Sequence, residues 1–168
     1  MGCDIHVHLE ISSSSGQRWR TFSEVDIDRD YTLFAVLAGV RNSSINPIDH
    51  IEPKGLPDDP SWDVINHATH LITDAIDVGL ETRETTVSTE TAQEYLDNEW
   101  TSRYGDDRII NSDYHSFSWL TCEELAHALQ VYETYTSEVN SQMKAVLQMM
   151  TSLQDSGMAA RLVFWFDN

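Results

Sequence analysis

An apolar repeat in the last third of the chain limits how the chain can fold. Residues recur at spacings of four and three from Leu125 to Leu153, a pattern typical of one helix with a continuous apolar seam. The seam consists of Leu125, Leu129, Tyr132, Thr136, Val139, Met143, Val146, Met150 and Leu153. Thr121-Cys122-Glu123-Glu124 has the form of a capping box and predicts the helix start, and Gly157 predicts its end. The seam must be buried on the chain's own sheet or against a second copy in a homo-oligomer.

The two ends of the chain have the patterns of β-strands. Near the start, apolar and polar side chains alternate, so they would occupy opposite faces of one strand. The apolar set is Ile5, Val7, Leu9 and Ile11, and the polar set is Asp4, His6, His8 and Glu10. After a turn at 13–16, Gln17 to Phe22 is predicted to return as a second strand, and Ala160 to Phe166 to form the last. The predicted fold class is therefore α+β: a small antiparallel sheet containing both terminal strands, packed against the long helix.

The middle of the chain contains short helices and one long irregular segment. Asp30 as N-cap and Gly39 as stop predict a helix over Tyr31 to Ala38. All four prolines lie between Pro47 and Pro60, which predicts an irregular loop over 41–62. Segments 61–78 and 91–100 have helical patterns, and Glu81 to Thr91 is predicted as a connection or an edge strand. A length of 168 residues predicts a single domain, 1–168.

The net charge of the chain limits which molecules it can bind. Ten basic residues stand against 28 acidic ones, a net charge of −18, which repels nucleic acid and anionic membranes. The acidity has three interpretations: solubility, adaptation to a salty cytoplasm, or imitation of DNA toward a DNA-binding partner. No apolar run has the length of a membrane helix. Two cysteines are too few for a disulfide scaffold, which favours reduced thiols in a cytosol.

Asp4, His6 and His8 are the candidate metal ligands. Strand residues two apart point the same way at a separation of about 7 Å, so the imidazoles can share one ion with Asp4. The alternative is a polar strand face exposed to solvent. The sequence predicts no organic cofactor. Asp4, His6 and His115 are also the candidates for acid–base catalysis. His67 and His70 are predicted on one face of a surface helix.

Two segments have the composition of an anion site. Asp113 to Trp119 leads into the predicted helix start, where free N–H groups and the helix dipole favour an anion. Ser116 and Ser118 add hydroxyl donors, and Trp119 adds an aromatic plane. Arg41, followed by Asn42, is a candidate phosphate clamp, because a guanidinium binds oxyanions through two parallel hydrogen bonds. The alternatives are an ordinary N-cap loop and a salt bridge from Arg41 to a carboxylate.

Five sequence blocks carry a family resemblance. MGCDIH, LFAVLAGVRN, GLPDD, HSFSWLTCEEL and VFWFDN together resemble small proteins of tailed phages and related viruses. The resemblance implies an accessory protein in the host cytoplasm that acts on nucleotide signals of host immunity. The blocks contain the candidate ligand-binding residues, which are Arg41, Asn42, Asp58, His115, Ser116, Ser118, Trp119, Trp165 and Asp167.

The leading functional prediction is capture, without turnover, of a small anionic nucleotide. Its pocket would lie between the first strand, the Arg41 segment and the start of the long helix. Arg41, Ser116 and Ser118 would hold phosphate, and Trp119 or Trp165 would stack on the base. The alternative is a hydrolase or phosphodiesterase that cleaves such a nucleotide, with or without a metal ion. A third possibility is an acidic interaction protein that imitates DNA.

Overall fold

The computed structural model describes residues 2–13, 18–74 and 86–167. The chain forms two compact units, one of residues 1–61 with 115–168 and one of residues 62–114. The strands are β1 (Ile5–Ser12), β2 (Arg20–Val25), β3 (Thr69–Ile72), β4 (Thr86–Val87), β5 (Arg103–Tyr104), β6 (Arg108–Ile110), β7 (Tyr114–Thr121) and β8 (Ala159–Asp167). The helices are α1 (Tyr31–Ala38), α2 (Trp62–Ala68), α3 (Thr89–Asp97), α4 (Cys122–Tyr135) and α5 (Ser141–Asp155).

The sheet of the first unit confirms the predicted α+β class. Its strand order is β2-β1-β8-β7, so the first and last strands of the chain are central neighbours. Strand β1 runs antiparallel to both β2 and β8, with Val7 opposite Phe164 and Glu10 opposite Arg161. The apolar face of β1 is buried in one core with side chains from α1, α4 and α5. The alternation of the first residues therefore correctly predicts the core face of the sheet.

The prediction of one long C-terminal helix is wrong. The chain leaves the helical conformation at Thr136, and Asn140 begins α5 by accepting a hydrogen bond from the Met143 N–H at 2.9 Å. Thr, Ser, Val and Asn, which lie between the helices, have low helix propensity. The short polar side chain of Asn140 also favours the N-cap position of a new helix. The seam residues in α4 and α5 lie in the core of the first unit, while Val139 between them is half exposed. The seam thus packs on the chain's own sheet, one of the two predicted alternatives.

The second unit has a separate four-stranded sheet of order β4-β3-β6-β5. The predicted helix over 61–78 is wrong directly after Ala68, because the chain continues there as β3, and residues 75–78 lie outside the described residues. His67 therefore lies on α2 and His70 on β3, rather than on one helix face. The predicted helix at 91–100 is confirmed as α3 with earlier bounds, since Ser88 caps it. Most of the predicted turn at 13–16 and part of the 81–91 segment lie outside the described residues.

The polar face of β1 is buried at His8 and Glu10, contrary to the interpretation of a solvent-facing strand, whereas His6 is half-buried and Asp4, just before the strand, is exposed. His8 and Glu10 are almost inaccessible to solvent. Glu10 Oε2 accepts a hydrogen bond from Arg161 Nε at 2.7 Å, and Glu10 Oε1 accepts one from the Ser61 N–H at 2.6 Å. Arg161 also donates to Asp59 Oδ1 at 2.8 Å. Since Asp59 and Ser61 belong to the proline-rich segment, this network attaches that segment to the second face of the sheet.

The proline-rich segment also contacts β7. The Gly55 N–H donates to the Phe117 carbonyl at 2.8 Å, and the Lys54 N–H donates to Ser118 Oγ at 3.2 Å. The predicted irregular loop is therefore confirmed as irregular, but it is held by specific hydrogen bonds. Among the helices that the structure describes, none is long and apolar enough to cross a membrane.

Candidate anion-binding cavity

The turn after α1 positions Arg41. Gly39 ends the helix in the left-handed conformation, with φ of 69°, and its N–H donates to the Ala35 carbonyl at 2.8 Å. A Cβ atom at Gly39 would lie 3.0 Å from the His50 ring, so the close approach of His50 also favours glycine there. Arg41 follows two residues later with φ of 58°, a conformation that non-glycine residues rarely adopt.

A second left-handed residue lies in β7. Ser116 has φ of 52°, in the interior of an otherwise extended strand. Consecutive side chains of a regular strand point to opposite faces, and a single residue outside the β region interrupts that alternation. His115 and Ser116 consequently line the same cavity although they are adjacent in sequence. The local distortion of β7 is thus what brings both side chains to one place.

The cavity itself is open to solvent and lies at the C-terminal end of α1. Its volume is about 330 Å³, and it is lined by Ala38, Gly39, Val40, Arg41, His115 and Ser116. This volume is near the lower end of the roughly 300–1,000 Å³ typical of small-molecule sites. Three of the predicted ligand-binding residues therefore share one cavity: Arg41, His115 and Ser116.

The imidazole of His115 is held in place by its neighbours. Its Nδ1 lies 3.0 Å from Ser116 Oγ, within hydrogen-bond distance. The ring stacks on Phe166, with centroids 6.0 Å apart and an angle of 24° between the planes. Its Nε2 is buried, and no residue that the structure describes forms a hydrogen bond with it. The ring is therefore oriented by Ser116 and Phe166.

Cys3 is a neighbour of Arg41 that the sequence did not single out. Burial raises the pKa of the Cys3 thiol, while the charge of Arg41 and a hydrogen bond from it oppose that rise. The negative charge of the Asp167 carboxylate also raises the pKa of Cys3. Cys3 is fully buried and forms no disulfide, so its raised pKa favours the neutral thiol beside Arg41.

Asp167 joins the two terminal strands near these residues. Its Oδ1 accepts the Asp4 N–H at 3.0 Å, and its Oδ2 lies 3.1 Å from His6 Nε2. The carboxylate of Asp4 is paired with Arg29, whose Nη2 lies 2.6 Å from Asp4 Oδ1. Asp167 and His6 are therefore engaged with each other in this structure, and Asp4 with Arg29.

The metal-ligand set predicted from the sequence is spread over the start of β1 and the residue before it. In the described ranges, the ligand atoms of Asp4, His6 and His8 do not lie within 4.8 Å of one another as a group. His8 is buried and stacks on Trp165, with ring centroids 5.0 Å apart. His6 stacks on the same ring at 5.7 Å. The spacing that suggested a shared ion instead lets the two imidazoles pack against one indole.

The other predicted ligand-binding residues lie away from the cavity lining. Asn42 closes its own turn, because its side chain donates to the Ile48 carbonyl and accepts from the Ile48 N–H, both at 2.8 Å. Ser118 and Trp165 are fully buried. Asp58 is exposed in the proline-rich segment.

Trp119 is covered by a cation of the protein. Lys54 Nζ lies 3.5 Å from the centroid of the Trp119 ring, in cation–π geometry. The same ammonium group is 2.9 Å from Glu124 Oε2. The Trp119 face that was predicted to stack on a base is thus occupied by Lys54.

The start of α4 holds its own carboxylate. The predicted capping box is confirmed: Thr121 Oγ1 accepts the Glu124 N–H at 3.2 Å, and Glu124 Oε2 accepts the Thr121 N–H at 2.8 Å. Partial burial opposes ionisation of Glu124, but hydrogen bonds from Thr121 and Lys54 outweigh it and lower the pKa of the carboxyl. The anion favoured at this helix end is therefore Glu124 itself.

No sequence pattern predicted Gly39 and Val40 as lining residues or the left-handed conformation of Ser116. The nearest signal was the stop at Gly39 directly before Arg41, since a chain leaving a helix through glycine changes direction there. Comparisons with protein-family models, with curated proteins and with solved structures found no match to this chain.

Proposed function

We propose that the protein binds a small anionic ligand of the nucleotide type, with a phosphate group held in the cavity beside Arg41. One observation carries the proposal: Arg41, His115 and Ser116 come from two distant segments and line one open cavity. A guanidinium offers five N–H donors in a planar fork that matches phosphate oxygens. The Ser116 hydroxyl is a further donor for the same oxygens.

The backbone at the cavity supports this proposal. Arg41 and Ser116 are both non-glycine residues with positive φ, and both line the cavity. Such conformations are unfavourable for side-chain-bearing residues and cluster at functional sites, where they aim particular side chains. Glycine would relieve the strain at either position, but it would remove the guanidinium or the hydroxyl from the cavity.

The size and charge of the protein favour a small ligand over a polymer. A cavity of about 330 Å³ accepts a phosphate and part of its sugar, but not several nucleotides. With a net charge of −18, the protein repels a polyanion at long range, whereas a ligand of low charge is repelled less. In the setting that the viral resemblance implies, this ligand is a nucleotide signal of a host defence system.

Calorimetric titration of the full chain with inorganic phosphate and with AMP at low ionic strength tests the proposal. Arg41→Ala should weaken binding by about 1.5–3 kcal/mol, the usual effect of losing a charged hydrogen-bond partner. Arg20→Ala is the matched control, because it removes the same charge from an exposed position on β2. Trp119→Ala should leave the affinity unchanged, since Lys54 covers that ring. Equal affinities of wild type and Arg41→Ala, or equal losses in Arg41→Ala and Arg20→Ala, would contradict the proposal.

A further inference from the structure

We infer that Ser116 is a nucleophile toward an activated phosphoryl group in this cavity, with His115 as its base. The inference rests on the proposed function in one respect, the binding of a phosphate beside Arg41. Ser116 Oγ lies 3.0 Å from His115 Nδ1, which is the distance expected between a nucleophile and its general base. Both residues line the cavity that Arg41 also lines.

The distortion of β7 explains why this pair forms. With a β-region φ, Ser116 would point away from the face that His115 occupies. The φ of 52° at Ser116 instead turns its hydroxyl toward the imidazole and the cavity. The chain therefore adopts an unfavourable conformation at the residue whose hydroxyl is placed between a base and an arginine-lined opening.

The chemical step is balanced with groups that line the cavity. A lone pair on Ser116 Oγ forms a bond to phosphorus, and the bond from phosphorus to the leaving oxygen breaks with its electrons on that oxygen. The hydroxyl proton passes to His115 Nδ1 and from there to the leaving oxygen. Arg41 stabilises the negative charge on the non-bridging oxygens. A water oxygen then forms a bond to phosphorus and the P–Oγ bond breaks with its electrons on Oγ. One proton of that water passes through His115 Nδ1 to Oγ, which restores the hydroxyl and releases phosphate.

The pair differs from a catalytic triad in how its base is oriented. In a triad, a carboxylate binds the second nitrogen of the imidazole. Here Nε2 of His115 has no hydrogen-bond partner among the described residues, and the ring is oriented by stacking on Phe166. This arrangement predicts a serine that reacts with strongly activated phosphorus compounds and turns over ordinary phosphate esters slowly.

A fluorophosphonate probe, in which fluoride is the leaving group, tests the inference on the purified full chain. Intact mass and peptide mapping should show one adduct, on Ser116. Ser116→Gly should give no adduct and should fold, because glycine accepts the positive φ; circular dichroism checks the fold. His115→Gln should slow labelling by roughly 10²-fold or more, the usual contribution of a general base. Ser152→Ala, which removes an exposed serine hydroxyl on α5, is the control and should label like wild type.

Each outcome distinguishes the inference from the proposed function. An adduct on Ser116 that depends on His115 supports the nucleophile. No adduct, an adduct at another residue, or unchanged labelling of Ser116→Gly overturns it, and phosphate binding to Arg41 can still hold. Loss of phosphate affinity in Arg41→Ala is measured separately, so failure of binding leaves the labelling result interpretable. With AMP, capture without turnover predicts that the nucleotide is recovered intact, whereas reaction at Ser116 predicts slow release of adenosine.

Discussion

Arg161 and Arg41 both belong to the first unit, yet their surroundings differ in almost every respect. Arg161 is buried, with Glu10 at 2.7 Å and Asp59 at 2.8 Å, and its guanidinium lies 3.9 Å from the centroid of the Trp19 ring. Arg41 lines an open cavity, and its guanidinium lies 6.0 Å from the Tyr31 ring.

The difference shows what burial requires of a charge. A buried guanidinium is stable only when carboxylates and hydrogen bonds replace water, and Arg161 has both. Its partners lie in β1 and in the proline-rich segment, so the group fixes the fold around it. Arg41 instead lies at an open cavity, next to the Cys3 thiol, where solvent and a ligand can reach the lining residues. We therefore expect Arg161 to affect stability and Arg41 to affect ligand binding.

The largest expected effect comes from breaking the buried pair. Arg161→Leu should lower the free energy of unfolding by about 3–5 kcal/mol, because it leaves the Glu10 carboxylate buried without its counter-charge. The double variant Glu10→Leu with Arg161→Leu should lose less stability than Arg161→Leu alone, since it leaves no buried carboxylate without a counter-charge. Urea unfolding of the single and double variants measures both values. A loss below about 1 kcal/mol in Arg161→Leu, similar to an exposed ion pair, would remove the distinction between the two arginines.

A smaller effect concerns the strained backbone at the cavity. At Arg41, glycine and alanine remove the same guanidinium, but only glycine relieves the left-handed conformation. Arg41→Gly should therefore be more stable than Arg41→Ala by roughly 1–2 kcal/mol. Ser116→Gly should be more stable than Ser116→Ala by a similar amount. Thermal unfolding of the four variants checks this expectation. Equal stabilities within each pair would show that the backbone relaxes at no cost and that the cavity stores no strain.

The smallest expected effect concerns the ion pair between Glu124 and Lys54, which is exposed and serves as a reference for the buried pair. The pKa of Glu124 is lowered in the folded chain, so its interactions stabilise the fold above the ordinary glutamate pKa of about 4.3. That contribution is lost as the pH falls through the lowered pKa. Glu124→Gln should cost about 0.3–1 kcal/mol at pH 7, because solvent screens the pair with Lys54. The difference in unfolding free energy between wild type and Glu124→Gln should be smaller at pH 3 than at pH 7. A difference that is the same at both pH values would show that the ionised carboxylate is not its cause.

Local rules predicted the elements that depend on neighbouring residues. Asp30 and Gly39 bound α1 as expected, and Thr121 with Glu124 forms the predicted capping box. These predictions succeed because caps depend on hydrogen bonds within four residues of the chain. The same reasoning missed the break at Thr136, although the low helix propensities before Asn140 were visible in the sequence. The spacing of four and three continues unchanged across the break, so the pattern of two helices is the same as that of one.

The candidate site was only partly predictable, for a related reason. Arg41, His115 and Ser116 were each chosen for their chemistry, but their convergence depends on the turn after Gly39 and on the distorted backbone of Ser116. Trp119 was chosen on the same grounds, and a lysine from a distant segment covers it. Chemistry indicates which side chains can bind a phosphate, whereas packing decides which of them meet.

The sequence by itself determined the α+β class, the apolar face of β1 and the burial of the seam, because side-chain periodicity follows from the geometry of strands and helices. Tertiary structure alone decided the fate of the polar face. Its neighbours come from the opposite end of the chain, where Arg161 pairs with Glu10 and Trp165 stacks with His6 and His8. A polar residue is exposed or buried according to whether distant groups replace its water, and no local pattern specifies those groups.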